Sequence, residues 1–154
     1  MADRAGTLTF HQPDGDDLFV LDSATLKAVQ HPAEVELFFY VRGEGKVDGR
    51  RCLTNAEVSV FLPEFDPTTL VGQRFEVPRS YDEAREDHVS CFYHYEHRDL
   101  NRNVVEVLGR AGKRFRVRWS GTTDEVDADE DEPASRVVIE AAFELSEGEA
   151  EAEQ

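Results

Sequence analysis

Along most of this chain apolar and polar residues alternate one by one. A chain written with period two can bury its apolar set only as β-strands. Glu34 to Arg42 is the clearest stretch, with Val35, Leu37, Phe39 and Val41 on one side and Glu34, Glu36, Phe38 and Tyr40 on the other. Ala56, Val58, Val60 and Leu62 share a face until Pro63 ends the strand. Thr7–Phe10 and Leu18–Leu21 read as short strands around Pro13-Asp14-Gly15-Asp16. Val89–His97, Val104–Leu108, Lys113–Trp119 and Arg136–Leu145 continue the pattern. The turns between them recur at the spacing of a sandwich. The expected fold is therefore all-β, predominantly antiparallel, a two-layer sandwich with one or two short helices. An α+β domain with a short helix packed on one sheet is the alternative.

The helical signals are local. Asp66-Pro67-Thr68-Thr69-Leu70-Val71-Gly72 supplies a cap, a proline at the first helical position and a closing glycine. Ser80-Tyr81-Asp82-Glu83 has the form of a capping box and predicts a helix ending near His88. Ser23 to Gln30 fits either a helical turn capped by Ser23 or a strand with Leu26 and Ala28 inward. In the hairpin Val104–Trp119, a three-residue loop Arg110-Ala111-Gly112 sets Val105 opposite Val117 and Val107 opposite Phe115. The next strand, Arg136–Leu145, then completes a C-terminal meander on the same core face.

Charge is segregated. From Asp124 to Gln154 there are thirteen acids and one base, a net of −12 out of −16 for the whole chain. A nucleic-acid mimic needs carboxylates spaced over a folded body, and the other 123 residues carry a net of only −4. The expected organisation is one β-rich domain over 1–145 containing an acidic loop at 124–132, followed by a flexible acidic tail at 146–154. Fourteen arginines beside three lysines and 33 acids suit high-GC coding or a salt-adapted proteome. No apolar run approaches the roughly 20 residues of a membrane helix. Met1-Ala2-Asp3-Arg4 lacks a signal-peptide n-region, and two cysteines make no disulfide framework. A cytoplasmic protein is the expectation.

Several clusters have residue types that carry chemistry. His88, Cys91, His94, Glu96 and His97 lie within ten residues. On a continuous strand His88, His94 and Glu96 share one face as weak metal candidates, while Cys91 and His97 share the other; the C-x₂-C spacing of a structural zinc site is missing. Arg114, Arg116 and Arg118 alternate with Phe115, Val117 and Trp119. There guanidiniums and rings point to opposite faces, and Glu106, Glu140 and Glu144 fall on the arginine face, so a charge-paired sheet surface is expected and no nucleic acid. No nucleophile elbow, phosphate loop or H-E-x-x-H motif is present.

Phe38 and Tyr40 lie opposite the clean apolar face of their strand, and Phe61 and Phe92 raise the same question on theirs. Either a second layer of the chain covers these four rings, or a partner does. The functional expectation is a non-enzymatic protein–protein interaction or assembly module, with a protein partner or self-association, no cofactor and no membrane. A small-molecule or metal-binding β-domain built on the 88–97 strand, hydrolytic at most, is the alternative. An acidic inhibitor, immunity or DNA-mimic protein is third.

Overall fold

A computed structural model describes residues 5–123 and 135–148. The expected acidic loop 124–132 and the tail beyond residue 148 lie outside the described residues. The strands are β1 (Gly6–Gln12), β2 (Gly15–Gln30), β3 (Val35–Val47), β4 (Arg50–Leu62), β5 (Arg74–Val77), β6 (Tyr81–Asp82), β7 (Asp87–His88), β8 (Ser90–His94), β9 (Glu96–Arg98), β10 (Asn101–Ala111), β11 (Arg114–Thr122) and β12 (Arg136–Gly148). Ten of them form one sheet in the order β5-β10-β11-β12-β1-β2-β3-β4-β8-β9, and β6 and β7 make a separate two-stranded hairpin. The fold is all-β and predominantly antiparallel.

In place of two separate layers, one long sheet curls over its own apolar face. Phe10 on β1 and Phe92 on β8 have three strands between them in the sheet, yet their rings meet edge to face at 4.9 Å. Phe39 on β3 meets Phe143 on β12 at 5.5 Å. Inside the curl lie the alternating residues that the period-two pattern picked out. Val35, Leu37, Phe39 and Val41 are all buried, and so are Val137, Ile139, Ala141, Phe143 and Leu145.

The curl depends on how β1 ends. β12 runs antiparallel to β1 from Arg136 to Ala141, then continues parallel to β2 from Glu144 to Gly148. β1 is thus a wedge whose tip is Gly6. A Cβ there would stand 2.1 Å from the Glu140 carbonyl oxygen and 2.6 Å from the Ala141 Cα, so only glycine lets the three strands close. The pairing of Ser146, Glu147 and Gly148 with Lys27, Ala28 and Val29 corrects the expected tail boundary: the strand runs three residues past Leu145.

Two further expectations need correction. Ser80 caps no helix, and its hydroxyl donates instead to the Ser90 carbonyl. Tyr81–Asp82 and Asp87–His88 pair as a hairpin around residues 83–86, with Glu86 in the left-handed region at φ 54°. The α+β alternative falls with that helix. Asp66 does cap a short turn, the 3₁₀ segment Pro67–Thr69, by accepting from the Thr68 amide at 2.9 Å. In the β10–β11 hairpin the loop is Gly112-Lys113, and Val105 faces Trp119 while Val107 faces Val117. A two-residue loop alone would turn Glu106 to the core. A bulge at Leu108 adds one residue to β10 and restores the parity, so the apolar face is kept but slid by two positions. Ser23 to Gln30 resolves as strand, with Ala24, Leu26 and Ala28 buried. Among the described residues no helix is long and apolar enough to cross a membrane.

Candidate functional site

The outer side of β3 and β4 is where residues that the core does not use gather. Phe38 and Tyr40 stack with centroids 6.3 Å apart and planes 14° off parallel. Both remain half-buried. Lys27 and Ser59 flank Phe38 across the ladder, and Thr25 and Glu57 flank Tyr40. At the end of β4 the outward ring of Phe61 is capped by Arg85, whose guanidinium carbon sits 3.4 Å from the ring centroid. The same guanidinium donates two hydrogen bonds to Glu34, at 2.6 and 2.9 Å. A planar fork on a carboxylate and a flat cation on an aromatic face are the two geometries arginine holds best. Arg85 therefore straps the β6–β7 hairpin to the sheet, and its hydrogen bond holds the Glu34 carboxyl below the usual range.

Beside this strap is a cleft of about 660 Å³ whose walls include Phe61, Pro78, Arg79, Tyr81 and Arg85. On the strap's other side a recess of about 300 Å³ contains His31, Glu36 and Ser59. Those three have the composition of a hydrolytic triad but not its order. The Ser59 hydroxyl donates to Glu36 Oε2 at 2.6 Å, and His31 Nε2 lies 2.9 Å from Glu36 Oε1. With the carboxylate in the middle, no imidazole is placed to take the hydroxyl proton. On β8 and β9, Cys91 Sγ lies 3.6 Å from His97 Nδ1. Burial pushes the Cys91 thiol up, with the charges of Glu57 and Asp99 adding to it, the reverse of an activated nucleophile.

Of the four aromatic candidates, Phe38, Tyr40 and Phe61 are on this outer face. Phe92 is not. It is fully buried beside Phe10 and His94, because β8 bends its even-numbered positions into the curl. The metal candidates separate as well. His88 is exposed on β7, 3.8 Å from Asp99, and Glu96 is exposed beside Arg98 at 3.9 Å. His94 is buried. The single-strand reading fails at Tyr95, which takes φ 68° and reverses the chain, so that His94 and Glu96 become a cross-strand pair. Among the described residues no group of three or more His, Cys, Asp or Glu side chains is placed to hold a metal ion. On the arginine strand, Arg118 is set between Glu106 and Glu140, and Arg114 opposite Glu144.

His94 is the buried ionisable group that sequence reasoning misplaced. Phe10, Phe19, Phe92 and Tyr95 surround its ring within 4.9 to 6.0 Å. Asp17 on β2 comes within 3.2 Å of Nε2, and both ring nitrogens lack a hydrogen bond of good geometry. Burial lowers the His94 pKa; Asp17 pulls it up in part, and Arg98 on β9 pushes it down. The folded state then refuses a proton that the unfolded chain accepts below about pH 6.5. Stability is expected to fall as pH drops through that value toward the folded pKa, by up to about 1.4 kcal/mol per pH unit. Urea melts between pH 7.5 and 5 check this, and His94→Phe should flatten the dependence; an unchanged slope in that variant would assign the acid loss to other groups.

No family model, curated protein or solved structure matches the chain.

Proposed function

We propose that this chain is a non-enzymatic protein–protein interaction module that self-associates through the outer face around Phe38, Tyr40 and Phe61. The observation that carries the reading is the stacked, half-buried pair Phe38–Tyr40, which stands on a sheet face away from the core. Rings held rigid by stacking lose little entropy on contact, and aromatic residues are enriched at interface cores. Lys27 and Glu57 put both signs of charge beside the rings, a rim that a second copy of the same face can complement. The carboxylate-centred order of Ser59, Glu36 and His31 and the burial that pushes the Cys91 thiol up support a non-catalytic role. Sedimentation equilibrium tests it. The purified chain should associate with rising concentration, and Phe38→Ser should weaken that association by about 2 kcal/mol or more, the range of an interface anchor. A wild-type chain that stays monomeric at high concentration sinks the proposal.

A further inference from the structure

The cleft beside the Arg85 strap lies where two strand edges are left without partners. β8 pairs with β4 only as far as Ser90 opposite Val58, after which the Ser59 amide donates to the Val89 carbonyl at 2.8 Å. Beyond Ser59 no strand among the described residues takes that side of β4. Backbone groups alternate sides along a strand, so the N–H and C=O of Phe61 turn the same way as the Ser59 amide. β5 is the end strand of the sheet, with β10 on one side alone. The Gln73 carbonyl accepts from the Val107 amide of β10 at 3.0 Å, so the backbone of Glu76, of opposite parity, points to the open edge. Phe61 and Glu76 both line the cleft, which thus has main-chain donors and acceptors outside the ladders on two of its walls.

The rest of the lining is apolar below and charged above. Val60 and Val89 are buried, Val77 is half-buried, and the ring of Tyr81 is exposed. Most of the charge on the walls is already matched. Glu76 holds Arg74 at 2.6 Å, and Arg85 is shared between Glu34 at 2.6 Å and Asp82 at 3.5 Å. Arg79 and Glu83 line the cleft with no ion pair among the described residues. Main-chain groups to pair, an apolar surface to cover and one unmatched charge of each sign together fit a short peptide. We propose that the cleft binds a peptide of about two or three residues with free ends and a large apolar side chain, a size that suits a cavity of about 660 Å³. Its amide pairs with the main chain of Phe61 or Glu76, and its side chain packs on Val60, Val77 and Val89 beside Tyr81. Its carboxylate meets Arg79 and its ammonium meets Glu83. Such a ligand is neutral overall, so the net charge of −16 on the chain does not repel it. The site needs one chain only and stands whether or not the outer face of β3 self-associates.

Calorimetric titration of the full chain with the dipeptide leucyl-phenylalanine tests this. The expected result is saturable binding at one peptide per chain. N-acetyl-leucyl-phenylalanine and leucyl-phenylalaninamide, each lacking one charged end, should bind about tenfold weaker, as loss of a charge-assisted contact predicts. Free phenylalanine, which has both charges but no peptide bond, should also bind about tenfold weaker. Arg79→Gln should remove the preference for the free carboxylate and keep the preference for the free ammonium, and Glu83→Gln should do the reverse. Both side chains are exposed, so the variants should fold, and near-ultraviolet circular dichroism checks that they do. No binding by the wild-type chain at millimolar peptide overturns the site. Phenylalanine binding as tightly as the dipeptide, or a preference for the free ends that survives in both variants, overturns it equally.

Discussion

Asn103→Ala is expected to cost about 4 kcal/mol, a loss in the exceptional range for one substitution. Asn103 is 1% exposed and ties four strands together. Its carboxamide oxygen accepts from the Trp119 indole N–H of β11 at 2.9 Å. Its nitrogen donates toward the Val77 carbonyl of β5, the Ser90 hydroxyl of β8 and the Leu100 carbonyl, at 3.1, 3.1 and 2.8 Å. The network continues, since Ser90 donates to the Leu100 carbonyl and Ser80 to the Ser90 carbonyl. Alanine leaves the indole N–H buried without a partner, at about 1–3 kcal/mol, and opens a cavity beside Trp119. Urea unfolding followed by far-ultraviolet circular dichroism measures it. Trp119→Phe, which removes one donor and keeps most of the volume, should cost less. A loss under about 1 kcal/mol for Asn103→Ala would show that water replaces the amide and that the network does not hold these strands.

That network also marks where sequence reading reached its limit. Alternation identified the inward faces of β3, β4 and β12, because a one-residue slip would turn every apolar side chain of such a strand outward. It could not separate a sandwich from one curled sheet, since both bury the same face of each strand. The curl is set by Gly6 and by the switch of β12 from β1 to β2, and no local pattern announces either. The capping-box motif at Ser80 failed for a related reason. Its hydroxyl is taken by Ser90 and its amide by Asn101 Oδ1, partners ten and 21 residues away. At the candidate site, Phe38 and Tyr40 were legible because they break the polar side of a strongly patterned strand. Glu34 and Arg85 are 51 positions apart, and only the docked β6–β7 hairpin brings them together over Phe61. The metal candidates were misplaced because the reversal at Tyr95 needs a left-handed residue, and tyrosine gives no warning of one.

Phe92→Ala and Phe38→Ser should behave as opposites, and the contrast tests the division between core and contact face. Phe92 is fully buried, edge to face with Phe10 at 4.9 Å and stacked on His94 at 6.0 Å. It sits where β8 closes over β1, so its removal empties the seam of the curl. The expected loss is about 4 kcal/mol, the sum of lost burial and the cavity left behind. Self-association per folded molecule should be unaffected, because no atom of Phe92 reaches the outer face. Phe38 is partly exposed and its ladder neighbours are the polar Lys27 and Ser59, so Phe38→Ser should cost about 1 kcal/mol of stability while weakening association. Denaturant melts and sedimentation on the two variants read both quantities. If Phe38→Ser instead lost about 3 kcal/mol or more with association unchanged, the ring would be acting as core, and the outer face of β3 would be ruled out as the contact surface.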